Sequence, residues 1–214
     1  MTKRKLTTLF LIVFIDLLGF SIILPLLPFY AETFNATPTQ IGLLVASYAA
    51  AQLLGAPLLG RLSDRFGRKP VLVISLAGTF IGFLILGFAN SLWMLFFSRI
   101  LDGFTGGNIS VAQAYITDIT DENNRAQGLG LLGAAFGLGF IIGPAVGGIL
   151  SVYGFALPAF VAAGFSMVSI LGVVFFLPES LTEQARLALV KQERQSFSIN
   201  NLWRAINRPR VGPI

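Results

Sequence analysis

The sequence predicts an all-α membrane protein in which six transmembrane helices form a bundle. Of its 214 residues, 55% are hydrophobic and only 12% are charged, whereas soluble domains carry about 25% charged residues. Six apolar stretches approach the roughly 20 residues that cross a bilayer; they are residues 7–28, 41–59, 71–88, 92–115, 128–150 and 156–177. Backbone groups in lipid must be hydrogen-bonded within the protein, and no stretch shows the alternating polarity of a barrel strand, so helices are expected.

The basic residues lie on one side of this predicted bundle. Fourteen of the fifteen lysines and arginines fall before span 1, between spans 2 and 3, between spans 4 and 5, or after span 6. The other one, Arg99, lies inside span 4. Because cytoplasmic loops carry the excess of basic residues, we expect an integral protein of the cytoplasmic (inner) membrane with both ends of this chain in the cytoplasm.

The composition excludes several classes of catalyst. The sequence has no Cys and no His, which excludes thiolate chemistry, a Ser-His pair and a His-ligated metal. It also lacks the G-x-x-x-x-G-K-[ST] motif that holds nucleotide phosphates. The net charge of +5 follows membrane topology and does not call for a nucleic-acid partner. We therefore expect neither an enzyme nor a bound cofactor or metal.

A change of composition after the sixth span divides the chain into a transmembrane domain, residues 1–180, and a cytoplasmic segment, residues 181–214. Residues 186–195 are polar and favour a surface helix, and the weakly amphipathic stretch 201–206 is expected at the membrane interface. The chain ends with basic residues followed by the start of an apolar run. This pattern predicts a loop between two halves, truncated before a seventh span.

The connection between spans 2 and 3 interleaves glycines, bases and an acid in the stretch GRLSDRFGRK, residues 60–69. Gly60 and Gly67 are expected to allow the tight backbone that reverses the chain between two helices. Asp64 is expected either to cap a helix N-terminus or to pair with a base. A short cytoplasmic loop explains the bases alone, but not two glycines that frame an acid.

Three charged residues lie at membrane depth. Asp16 is about ten residues into span 1, and Arg99 and Asp102 lie at similar depth in span 4. A lone charge at the bilayer centre costs at least about 2.5–3.5 kcal/mol on insertion scales, so each needs a partner or water. Arg99 and Asp102 are three residues apart and are expected to pair on one helix face. The pair is either purely structural or part of a charge cluster lining a cavity, where a carboxylate exchanges a proton.

Spans 2 and 4 also contain polar side chains that carry no charge. Tyr48, Gln52, Asn108 and Gln113 are candidates for contacts with a small-molecule substrate. The alternative is that each forms hydrogen bonds between helices.

Two spans carry faces of small residues. Gly139, Gly143 and Gly147 recur every four residues in span 5, and Pro144 is expected to bend the helix there. Span 2 has a similar ridge, formed by Ser47, Ala51 and Gly55. Small residues let another helix approach closely. One interpretation is ordinary packing within this bundle.

These motifs resemble the major facilitator superfamily of secondary transporters. Residues 60–69 match its signature G-x-L-x-D-R-x-G-R-K throughout. Residues 18–28 (LGFSIILPLLP) are similar to the first-helix motif of drug:proton antiporters, and residues 99–103 (RILDG) to the R-x-x-x-G of proton-coupled members. Residues 139–148 (GFIIGPAVGG) fit the G-x-x-x-G-P-x-x-G-G of exporters. The set resembles the tetracycline-exporter-like branch, over six of the usual twelve helices.

The resemblance implies the N-terminal half of the facilitator fold, built from two inverted three-helix repeats. It implies proton-driven export of a drug or another small molecule, with Asp16, Arg99 and Asp102 as candidates for proton coupling and no cofactor besides the proton gradient. Uptake of a sugar or another metabolite is the alternative, against which the glycines of span 5 argue. A membrane scaffold or receptor without transport is a rival class, and it gives no reason for charges at membrane depth.

The resemblance also implies a cytoplasmic gate in which Arg65 or Arg68 bridges Asp118. The gate residues are Gly60, Asp64, Arg65, Gly67, Arg68, Lys69, Asp118 and Arg125. The small-residue faces would then meet a missing C-terminal half or a second copy of the chain. The span 5 interface residues are Gly139, Gly143, Pro144, Gly147 and Gly148.

Overall fold

The structure, a computed structural model, describes residues 2–187, with side chains from residue 4 onward. Eight complete helices lie in that range: α1 (Thr2–Ile23), α2 (Leu27–Glu32), α3 (Pro38–Phe66), α4 (Arg68–Gly87), α5 (Leu92–Thr105), α6 (Asn108–Ile119), α7 (Glu122–Ser151) and α8 (Ala156–Phe176). The predicted interfacial segment 201–206, the approach to a seventh span and most of the predicted surface helix 186–195 lie outside the described residues.

The long helices pack side by side as a bundle. α1 lies between α7 and α8, α4 contacts α8 and α5, and α3 packs against α5. Within residues 2–187, five helices are long and apolar enough to cross a membrane, namely α1, α3, α4, α7 and α8. The remaining predicted span is divided between α5 and α6. The predicted all-α membrane architecture is therefore confirmed.

Two apolar clusters fill the bundle, one towards each end. The first joins α1, α4 and α6 around Leu9, Leu72 and Tyr115. The second joins α1, α4 and α5 around buried residues such as Ile22 and Phe83. Between them along these helices lie buried polar residues, among them Asp16, Thr79, Arg99 and Asp102. The charges predicted at membrane depth thus form a polar layer between two apolar ones.

α1 ends earlier than the predicted first span because of a proline. It ends at Ile23, and a turn over Leu24, Pro25 and Leu26 leads into the short helix α2. Proline lacks a backbone N–H and disfavours helical geometry in the residue before it. The predicted span ran five residues beyond the helix end.

α3 is longer than the predicted second span at both ends. It begins with a capping box, in which the Thr37 side chain accepts from the Gln40 backbone N–H and the Gln40 side chain accepts from the Thr37 backbone N–H. It continues to Phe66, so Gly60 is helical and the turn expected there is absent. The reversal into α4 is made by Gly67 alone, whose φ of +108° favours glycine.

The fourth predicted span is not one continuous helix. α5 ends at Thr105 and α6 begins at Asn108, so Gly106 and Gly107 form a break inside the span. Two adjacent glycines lack the side chains that favour helical geometry, which weakens a helix at that point. The prediction of an unbroken helix over residues 92–115 is therefore wrong.

The three span 5 glycines that recur every four residues pack within this bundle and not on an outer surface. Gly139, Gly143 and Gly147 are buried against α1, where a Cβ at Gly143 would collide with the side chain and backbone of Ser21. The Ser21 hydroxyl donates a hydrogen bond of 2.8 Å to the carbonyl oxygen of Gly139. The expectation that this face meets a second half is wrong, because α1 already occupies it. α7 runs on through Pro144, where a bend stays a prediction.

The ridge on α3 is likewise covered from within. Ala51 and Gly55 are buried, and a Cβ at Gly55 would collide with the Phe104 backbone of α5. On the opposing helix, a Cβ at Gly103 would collide with the Tyr48 carbonyl oxygen. Small residues on both helices therefore let the two backbones approach closely.

Adding one methyl group at the α1–α7 contact should destabilise the bundle. We expect Gly143→Ala to lower the free energy of unfolding by about 1–3 kcal/mol, because a tightly packed contact must shift to admit it. The matched control is Gly164→Ala in α8, where an added Cβ meets nothing within 4 Å. Thermal unfolding of the purified protein in detergent measures both changes, and equal midpoints for the two variants would contradict the packing argument.

Candidate functional site

A cavity of about 540 Å³ lies beside the break between α5 and α6. Residues of α1, α3, α4, α5 and α6 line it, together with Phe136 of α7. The lining is mainly apolar with a few polar groups, which is the composition of small-molecule sites. All four uncharged polar residues singled out in the sequence, Tyr48, Gln52, Asn108 and Gln113, are in the lining.

Two carboxylates line this cavity, and a guanidinium is paired with one of them. Asp16 and Asp102 line it, and Nη1 of Arg99 lies 3.1 Å from Oδ2 of Asp102, with both side chains at most 3% exposed. The Arg99 guanidinium also lies over the Phe83 ring, 5.3 Å from its centroid. The Arg99–Asp102 pair expected from the sequence is thus present and almost fully buried.

Asp16 is outside that ion pair. It is buried, and its Oδ2 accepts a hydrogen bond from Nδ2 of Asn108. Its Oδ1 is buried without a hydrogen-bond partner. Asp102 is close enough to interact with it electrostatically. The site therefore brings together the three charges predicted at membrane depth, but only one carboxylate is paired with the base.

The break in the fourth span is held by side chains of two neighbouring helices. Nε2 of Gln52 donates to the Gly106 carbonyl oxygen at 3.0 Å and to the Tyr48 hydroxyl at 3.1 Å. The hydroxyl of Ser75 in α4 donates to the Thr105 carbonyl oxygen. Carbonyl groups that the break leaves outside the helix are therefore satisfied, as a membrane interior requires. For Gln52, hydrogen bonding between helices and cavity lining occur together, while Tyr48 lines the cavity and accepts a hydrogen bond from Gln52 within α3.

At one end of the bundle, Arg68 is the centre of a polar cluster. Its Nη1 lies 2.6 Å from Oδ1 of Asp64 and donates to the Ser63 hydroxyl at 2.6 Å. Its Nε donates to Oδ2 of Asp118 at 3.0 Å. The guanidinium thereby joins α3, α4 and α6, and its side chain is only 5% exposed. Of the two arginines expected to bridge Asp118, it is Arg68 that does so.

The other residues of the predicted gate are distributed around this cluster. The Arg65 guanidinium lies over the Phe66 ring, 5.4 Å from its centroid. Lys69 Nζ donates to the Val174 carbonyl oxygen of α8 at 2.8 Å. Arg125 lies near the start of α7 with its Nε buried and without a hydrogen-bond partner. The structure therefore brings together Asp64, Arg68 and Asp118, and not the whole predicted set.

Glu179, which the sequence analysis did not single out, completes the cluster. Its carboxylate accepts hydrogen bonds from the backbone N–H groups of Arg68 at 2.9 Å and Lys69 at 3.1 Å. It thereby caps the start of α4, where an acid also interacts favourably with the helix dipole. A Cβ at Gly67 would lie 2.6 Å from Oε2 of Glu179, so the turn glycine also gives the carboxylate space. In the sequence, the feature that indicated Glu179 was an acid two residues after the sixth predicted span.

Hydrogen bonds from α6 hold the segment that carries this acid. The Tyr115 hydroxyl donates to the Pro178 carbonyl oxygen at 2.8 Å. The Ser180 hydroxyl donates to Oδ2 of Asp118, also the acceptor for Arg68, at 2.9 Å. The end of the sixth span is therefore fixed to α4 and α6.

A bundle of helices of membrane-crossing length, with a cavity lined by buried carboxylates, defines the class as an integral membrane protein. Comparison with known families identifies which family of membrane proteins this is. The model of the Major Facilitator Superfamily matches residues 9–212. The chain belongs to this superfamily, and its structure fits the N-terminal half of the fold.

Named relatives agree with this assignment. Tetracycline resistance protein, class H, of Pasteurella multocida is 38% identical over 200 residues, covering 92% of this chain and 50% of that protein. Multidrug resistance protein 2 of Bacillus subtilis is 35% identical over 196 residues, covering 91% of this chain and 49% of that protein. The crystal structure of the human organic anion transporter TETRAN superposes with a TM-score of 0.79 at 29% identity, covering 86% of this chain and 50% of its own. The chain spans about half the length of these relatives.

Removing the acid that caps α4 should weaken the contact between α4 and the end of α8. We expect Glu179→Ala to lower the free energy of unfolding by about 0.5–2 kcal/mol, the range measured for lost helix caps. Glu183→Ala is the matched control, since Glu183 is exposed in the same segment and its loss changes the net charge equally. Thermal unfolding of both variants gives the comparison. Equal losses of stability would show that charge, and not capping, is responsible.

Proposed function

We propose that this chain is the N-terminal half of a secondary transporter that exports a drug or another small molecule in exchange for protons, by alternating access. It acts without chemical conversion of its substrate and without a cofactor, since the proton gradient supplies the free energy. The relatives named for tetracycline and multidrug resistance support export over uptake of a sugar or another metabolite. The buried charges count against a scaffold or receptor without transport.

One observation carries the proton coupling: of two buried carboxylates, only one is paired with a guanidinium. Arg99 neutralises Asp102 at 3.1 Å, while Asp16 in the same cavity has no basic partner among the residues that the structure describes. A buried unpaired charge is costly, and ionisable groups in that position neutralise by binding a proton. Of the two carboxylates, Asp16 is therefore the one that exchanges a proton, and the cavity provides the route by which water or a substrate reaches it.

The outward sides of α3 and α7 support a partner on the far side of the cavity. These two helices are far less buried than α1 and α4. Gly130, Gly133, Gly137 and Gly148 have open space where a Cβ would lie, and helix periodicity places them with Pro144 on one flank of α7, about 80–140° around the helix axis from Gly143. A C-terminal six-helix half meets this description, with a second copy of the chain as the alternative occupant. Small residues there would allow sliding.

The distribution of basic residues supports an orientation. The cluster around Arg68 and the bases of residues 60–69 lie at one end of the bundle, near the starts of α4 and α7. With basic residues inside, this end faces the cytoplasm of an inner membrane, and both ends of the chain lie there. Asp64 and Arg68 are then the cytoplasmic gate of the transporter.

Neutralising Asp16 should uncouple transport from the proton gradient. In vesicles containing the intact transporter, Asp16→Asn should abolish accumulation driven by a pH gradient, because the side chain no longer exchanges a proton. Downhill exchange of substrate should persist, since the shape of the cavity is kept. Glu32→Gln is the control, as Glu32 is an exposed acid at the opposite end from the gate. Uphill transport by Asp16→Asn with unchanged pH dependence would assign the proton to another group.

Neutralising Asp64 should impair the gate without unfolding the protein. Asp64→Asn keeps the side-chain shape but removes one of the two carboxylates that pair with Arg68. We expect at least a tenfold loss of transport rate at nearly unchanged abundance in the membrane. Glu122→Gln, an exposed acid in the first turn of α7, serves as the control. Normal transport by Asp64→Asn would refute the gating role, and lost abundance would make Asp64 a structural residue.

A further inference from the structure

The environment of Asp16 is asymmetric about its two carboxyl oxygens. Oδ2 accepts a hydrogen bond from the amide nitrogen of Asn108. Oδ1 is buried and has no hydrogen-bond partner within the described part of the chain. We infer that Asn108 is a positioning residue, which holds Oδ2 as an acceptor and leaves Oδ1 as the oxygen that takes the proton. This inference rests on the proposed role of Asp16 in proton exchange.

The orientation of the Asn108 amide is fixed by its own helix. Asn108 is the first residue of α6, and its Oδ1 accepts a hydrogen bond of 2.9 Å from the backbone N–H of Ile109. Exchanging the amide nitrogen and oxygen would lose this bond and place two acceptor oxygens face to face. The group presented to Asp16 is therefore the NH₂, which only donates. Because both the nitrogen and the oxygen of this amide are already hydrogen-bonded, Asn108 positions Asp16 and is not available to bind a substrate.

The break in the fourth span puts Asn108 at the start of a helix, beside the cavity. Gly106 and Gly107 separate α5 from α6, so Asn108 begins a new helix beside the cavity. The last carbonyl groups before the break are held from α3 by Gln52 and from α4 by Ser75. The donor to Asp16 therefore lies next to a connection that side chains of two other helices restrain. Such restraint is what positioning within a hydrogen-bond length requires.

The free oxygen has surroundings that suit a proton. The buried hydroxyl of Ser166 in α8 lies near enough to the Asp16 carboxyl to interact with it, but it makes no hydrogen bond of good geometry with the described residues. When a hydronium ion in the cavity gives a proton to Oδ1, one O–H bond of the hydronium breaks, one O–H bond forms on the carboxyl, and a water molecule is left. The new donor then has the Ser166 hydroxyl oxygen nearby as an acceptor. A proton on Oδ2 would instead point at the NH₂ of Asn108. The charged and titratable neighbours of the site are Asp102, Arg99 and Tyr48.

The test is the infrared carbonyl band of protonated Asp16. Difference spectra of the intact transporter in lipid, recorded between high and low pH, should contain a carboxylic-acid band that Asp16→Asn abolishes. If Oδ2 is the carbonyl oxygen and Asn108 donates to it, that band is lowered in frequency. Asn108→Ala should therefore move it to higher wavenumber. Asn108→Ser is the substitute variant if Asn108→Ala does not fold. It keeps a polar side chain at the start of α6 but removes the amide, and we expect the same shift of the band.

Gln113→Ala is the matched control, because it removes another amide from the same cavity and should leave the band in place. A band that is present in the wild type, abolished by Asp16→Asn and unshifted in the Asn108 variants would overturn the positioning role alone. Absence of any band that depends on Asp16 would overturn the proposed proton exchange at Asp16, and the positioning role with it.

Discussion

The structure depends on one imbalance of charge at the middle of the bundle: Asp16, Arg99 and Asp102 are buried there, which gives two carboxylates but one guanidinium. Arg99 and Asp102 form a neutral pair, which leaves Asp16 as an unpaired acid. An apolar interior tolerates such groups only where hydrogen bonds or water reach them. The cavity, the asparagine at the start of α6 and the polar layer between the two apolar clusters all lie at that level of the bundle. The transport proposed above and the stability of the bundle therefore make opposite demands on the same few residues.

The break between α5 and α6 follows from the same requirement for satisfied polar groups. An interrupted helix exposes carbonyl oxygens that a membrane cannot hydrogen-bond, so neighbouring helices must supply donors. Gln52 and Ser75 do so from opposite sides. Their hydrogen bonds tie α3 and α4 to the break, and Asn108 ties α1 to it. Four spans thus meet at one irregular point, and a rearrangement of any of them changes the environment of the acid.

Hydropathy and motif spacing were sufficient to predict the membrane architecture, the buried charges and the Arg99–Asp102 pair, because these depend on composition and on neighbours three residues apart. They did not predict which helix covers Gly143, since periodicity places residues on a face without naming the neighbour. The continuous apolar run hid the break at Gly106, although the adjacent glycines were visible. Glu179 escaped notice because its contacts with α4 join residues more than 100 positions apart.

The connection between α3 and α4 is a single residue, Gly67. Consecutive Cα atoms are about 3.8 Å apart, so these two helix ends cannot separate by more than a few ångströms in any conformation. Most surface connections accept inserted residues easily. Here an insertion would displace Arg68 from Asp118 and the α4 backbone from Glu179 at once. Length variation among related sequences should therefore be absent at this turn. Any movement of the end of α3 must also move the start of α4, because one residue connects them.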